Sequence, residues 1–89
     1  MNIERFHNEL AMRLGYERIV KDKRIMISVE DAEEPCVILK VQGHDEIRFK
    51  ATGNSDDIEF QAQPEMQKEL KFIFDASHQA YLKARNCIF

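Results

Sequence analysis

The chain has 89 residues, 44% hydrophobic and 33% charged, which suits a single folded domain over residues 1–89 and excludes wholesale disorder. Three glycines with no Gly-x-Gly exclude a dinucleotide-binding fold, and a net charge of −3 argues against a general binder of phosphate backbones. Two cysteines, Cys36 and Cys87, are too few and too far apart for a disulfide framework or a zinc site, so a reduced, cytoplasmic setting is expected.

The N-terminus carries charges and no signal-peptide apolar run, and no stretch approaches the roughly 18 consecutive apolar residues of a membrane span. No membrane attachment is expected. The first periodic segment covers residues 3 to 14, with Ile3, Phe6, Leu10 and Leu14 at helical spacing and Met12 on the flank. Asn2 is placed to cap it, Glu4 suits its first turn, and Gly15 reads as its stop.

Alternation then takes over. Ile25, Ile27 and Val29 form one apolar set, Val37, Leu39 and Val41 a second, Ile47, Phe49 and Ala51 a third, and Ile58 with Phe60 a fourth. Turn-type segments separate them at Asp31 to Pro35, Gly43-His44-Asp45 and Gly53 to Asp56. Pairing Val29 with Val37, Val41 with Ile47 and Phe49 with Phe60 keeps every apolar set on one face, whereas a slip by one residue flips it into water. Tyr16 to Val20 is a candidate fifth strand, although Ile19 then faces the wrong way.

Pro64 and Glu65 open a second helix, in which Met66, Leu70, Ile73, Ser77, Ala80, Ala84 and Cys87 recur at spacings of 4 and 3. The expected fold is α+β: one antiparallel meander of three to five strands, with an N-terminal and a longer C-terminal helix on its apolar face. This order of elements is similar to that of double-stranded-RNA-binding domains. The second helix, however, opens Pro64-Glu65-Met66-Gln67-Lys68-Glu69 where those domains are lysine-rich, so the resemblance is one of topology.

No catalytic constellation emerges. His7, His44 and His78 have no ligand or acid–base partner at helical spacing, Cys36 and His44 fall at opposite ends of the strand 36–41, and no serine sits in a Gly-x-Ser-x-Gly turn. No enzyme activity, cofactor or metal is expected. Three surfaces are candidates for binding instead.

The first is an acidic end of the sheet, where Glu30, Asp31, Glu33 and Glu34 share one turn and Asp56 and Asp57 another. It is either solvated turn charge, a dock for a basic partner, or a hard-cation site lacking the usual calcium-loop pattern. The second is the open sheet face, where Lys40 is expected across from Arg48 and Lys50 across from Glu59. With Arg24, the first two make a basic patch for phosphate or nucleic acid. No aromatic residue is expected there for base stacking.

The third surface is the C-terminal helix. Phe74, Tyr81 and Ile88 form a row at a spacing of seven beside the main seam, and Phe72 points away from it. The row is either a wide core stripe or half of a homodimer interface. The functional expectation is a small interaction or regulatory module that binds another macromolecule, a protein in the first instance, and self-associates through this helix. Nucleic-acid binding by Arg24, Lys40 and Arg48 is the alternative.

Overall fold

The computed structural model describes residues 2–16, 24–30, 33–52 and 57–86. Helix α1 spans Ile3–Tyr16, strands β1 to β4 span Ile25–Glu30, Cys36–Val41, Ile47–Ala51 and Ile58–Gln61, and helix α2 spans Pro64–Asn86. The strands form one antiparallel sheet in the order β1-β2-β3-β4. The fold is α+β, α-β-β-β-β-α, as the alternation and the two helical periods predict.

Helix α1 begins where its cap allows. The Asn2 side-chain oxygen accepts the Arg5 N–H at 3.3 Å, satisfying one of the amides that a helix start leaves without a partner. The helix runs one residue past Gly15, to Tyr16, and Gly43 is the glycine of positive φ among the described residues. Gly15 is therefore not a left-handed stop. Tyr16, expected to open a fifth strand, closes the helix instead, and Glu17 to Val20 lie outside the described residues.

Two of the three expected hairpin registers are observed: Val29 faces Val37, and Phe49 faces Phe60. The middle one differs by two residues, with Leu39 rather than Val41 opposite Ile47. The cause is the turn. His44 N–H donates to the Val41 carbonyl at 3.0 Å, and Gly43 takes a φ of +84°, a conformation that favours glycine. Val41 thus serves as the turn's first residue while still pairing with Ile25 on β1. A shift by two preserves which face each side chain occupies, so the core is unaffected.

Both helices cover one sheet face. Phe6, Leu10 and Leu14 from α1, Val37, Leu39, Ile47 and Phe49 from the sheet, and Met66, Leu70, Ile73 and Phe74 from α2 are buried together. At the centre, the Phe6 ring lies 6.0 Å from Phe49 and 6.2 Å from Phe74, the latter edge-on, while Phe49 and Phe74 stack at 5.6 Å. Such tilted and offset pairs add modestly to the area they bury.

The core stripe of α2 departs from its expected line near the helix end. Ala84 is exposed and Ala80 half-buried, while the stripe passes from Ser77 to Tyr81. Ser77 is fully buried because its hydroxyl donates to the Ile73 carbonyl at 2.8 Å, leaving no unsatisfied polar atom. The Tyr81 hydroxyl accepts the Asn2 N–H at 3.0 Å, which ties the last turns of α2 to the start of α1.

Candidate functional site

Because residues alternate between faces, the even-numbered residues of β1, β2 and β3 and the odd-numbered ones of β4 turn away from the helices. This open face carries Met26, Ser28 and Glu30 on β1, Cys36, Ile38 and Lys40 on β2, Arg48 and Lys50 on β3, and Glu59 and Gln61 on β4. As expected, no aromatic side chain is among them. Met26 is 69% exposed and Ile38 half-buried, so the face has an apolar centre near β1 and β2.

The register moves the basic residues apart. Arg48 lies between Ile38 and Gln61, not opposite Lys40, and Lys40 faces Met26. The predicted pair of like charges does not form. The Arg48 guanidinium reaches the Glu30 carboxylate at 3.0 Å and Glu46 at 2.8 Å, so its charge is met on both sides. The hydrogen bond and charge of Glu46, reinforced by Glu30, raise its pKa further. Arg24 and Lys40 are exposed and form no ion pair with any described residue. They flank a hollow of about 420 Å³ floored by Ile25, Met26 and Val41.

Lys50 faces Glu59 as predicted, yet its ammonium is held by Glu34 at 2.9 Å. Glu34 raises the Lys50 pKa by hydrogen bond and charge, with a smaller contribution from Glu59. The acidic end is thus partly neutralised by its own sheet. Glu33 and Asp57 are exposed beside it, and Asp56 lies outside the described residues. The Ala51 N–H donates to the Pro35 carbonyl at 3.0 Å, so Pro35 and the end of β3 lie at one end of the sheet.

Cys36 occupies the open face, as its parity predicts, but is only 3% exposed. Glu30, Arg48 and Lys50 stand around it and close over a thiol that alternation alone leaves in water. Its Sγ donates to Glu30 Oε2 at 3.5 Å, and Arg48 Nη1 lies 3.9 Å from the sulfur. Burial pushes the thiol pKa up, and the Glu30 hydrogen bond and charge push it the same way, against the opposing pull of Arg48. A thiol so placed is a poor nucleophile at neutral pH. Glu30→Gln, in a Cys87→Ser background, removes the contribution of Glu30 and should lower the Cys36 pKa, read from thiolate ultraviolet absorbance against pH. An unmoved titration would show that Glu30 does not govern the sulfur.

The histidines stay apart. His7 pairs with its neighbour Asn8, His44 sits in the β2–β3 turn, and His78 stacks on Phe74 at 5.7 Å with its edge toward Phe6. No group of three or more potential metal-ligating side chains occurs among the described residues. On α2, Phe74 and Tyr81 are 9% and 4% exposed and belong to the core. The row at spacing seven is therefore a wide core stripe over the described residues and cannot present those two side chains to a second copy. Ile88 lies outside the described residues, and Phe72, at 74% exposure, remains on the surface.

The arrangement is an α+β fold in which the described residues cover one sheet face and leave the other open. No family model, curated protein or solved structure matches the chain. No described helix is long and apolar enough to cross a membrane.

Proposed function

We propose that the chain is a small non-enzymatic interaction module that docks another protein on the open face of its sheet. The observation that carries this reading is the contrast between the two faces. One is sealed by α1 and α2, while the other has no covering layer among the described residues and displays Met26 and Ile38 within a charged surround. Protein interfaces commonly pair an apolar centre with a polar rim, and an unbranched methionine adapts to varied partner surfaces. Glu33 and Asp57 at the acidic end add charges suited to steering a basic rim on the partner.

The absence of catalysis in this reading rests on the same geometry: Cys36 meets a carboxylate rather than a histidine, and the histidines are dispersed. The nucleic-acid alternative has less support, because Arg48 is engaged by Glu30 and Glu46, leaving Arg24 and Lys40 as its cations. Affinity capture with the wild-type chain is expected to recover a protein whose binding weakens at least about tenfold with Met26→Lys and is unchanged by Phe72→Glu. Loss through Phe72→Glu alone places the contact on α2 and rejects the open face. Capture of nucleic acid, with affinity falling steeply as salt rises, favours the alternative.

A further inference from the structure

Strand β1 ends the sheet, and no described element lies along its outer side. Its hydrogen-bonding pattern fixes which backbone groups face outward. Gln42 N–H donates to the Arg24 carbonyl at 2.9 Å, so Arg24 and Gln42 form a hydrogen-bonded pair, and by alternation so do Met26–Lys40, Ser28–Ile38 and Glu30–Cys36. The N–H and C=O groups of Ile25, Ile27 and Val29 therefore point away from β2, along the free edge.

Natural edge strands are usually blunted by a lysine, a proline or a bulge. The segment Ile25–Glu30 contains no lysine or proline, and its register with β2 runs without interruption. Its core-facing side chains, Ile25, Ile27 and Val29, are half-buried, and no described residue pairs with them on that side. Among the described residues, the edge is open to another strand.

We propose that β1 pairs antiparallel with β1 of a second copy, about a two-fold axis through Ile27, joining the two sheets into one. This goes beyond docking on the open face, and neither requires the other. Three features select this register. Ile25, Ile27 and Val29 carry the outward backbone groups, so the hydrogen-bonded pairs must be formed among them, and Ile27 meets the partner's Ile27 while Ile25 meets the partner's Val29. Ile25, Ile27 and Val29 of both copies then stay on the helix-covered face. Finally, Arg24, which has no ionic partner among the described residues, falls opposite the partner's Glu30, and symmetry repeats the pair. That pair lies between the hydrogen-bonded ones, where facing side chains approach most closely.

The symmetry supplies a sharp test. Sedimentation of the wild-type chain over a concentration series is expected to show a monomer passing to a dimer. Arg24→Glu sets glutamates opposite each other, and Glu30→Arg sets arginines opposite each other, so each alone should weaken association by at least about tenfold. An equimolar mixture of the two variants restores both opposite-charge pairs and should dimerise again as the mixed species. Ile27→Pro removes an N–H that the sheet itself does not use, and should leave a folded monomer. A wild-type chain that stays monomeric at high micromolar concentration overturns the proposal. So does a dimer that the variants leave intact, or one that the mixture fails to restore.

Discussion

Leu39→Lys is expected to leave no folded domain. Leu39 lies at the centre of β2, fully buried beneath both helices, and pairs with Ile27 on one side and Ile47 on the other. An ammonium there would replace a side chain packed into the apolar cluster shared by both helices and the sheet. Burying it costs several kcal/mol against a total stability of about 5–15 kcal/mol for a domain. Far-UV circular dichroism should show an unfolded chain without a cooperative melt. Ile38→Lys, one residue away on the open face, should keep the wild-type transition. If the two variants exchange behaviour, the sheet has been assigned its faces in reverse.

Phe6→Ala is expected to destabilise by about 3–5 kcal/mol, the range seen when a buried phenylalanine is truncated and its cavity cannot collapse. Collapse is opposed here because Phe6 is held between elements that also pack elsewhere. Its ring touches Phe49 of β3 and both Phe74 and His78 of α2, while Phe49 and Phe74 are already packed on Phe60 at 4.8 Å and 5.2 Å. Met12, on the same helix but half-exposed, provides the contrast, and Met12→Ala should change stability by no more than about 0.5 kcal/mol. Urea denaturation separates the two through the midpoint at constant slope. A Phe6→Ala midpoint close to that of the wild type would show that the aromatic cluster is not where the helices and sheet are joined.

The sheet was legible because alternation is a strict local rule. Which side chains face the helices follows from parity, and parity survives the two-residue difference in the β2–β3 register. The difference itself was not legible. The sequence contains Gly43, but which four residues make the turn depends on the left-handed conformation that Gly43 adopts. That single choice set Ile38 rather than Lys40 opposite Arg48.

Other parts of the surface depend on contacts between distant segments. Cys36 has the parity of an exposed residue, and its burial comes from long charged side chains reaching over it from β1 and β3. The row of Phe74 and Tyr81 looks identical in sequence whether it faces a core or a partner. What decides it is how far α1 wraps around α2, marked by the Asn2–Tyr81 bond between residues 79 apart. The open face, where function is proposed, carried no motif at all. A surface made of Met26, Ile38 and paired charges is ordinary in composition and special only in being left uncovered by the described residues.

The Asn2–Tyr81 bond also has a bearing on biosynthesis. Helix α1 is made first, yet its main packing surface, α2, is made after the whole meander. At ordinary translation speeds of about 5–20 residues per second, the 23 residues of α2 take about 1–5 s to appear. Until α2 docks, α1 and the apolar sheet face lack the surface that covers them in the folded chain. The contacts between α1 and α2 join residues far apart in sequence, and contacts of high sequence separation slow folding.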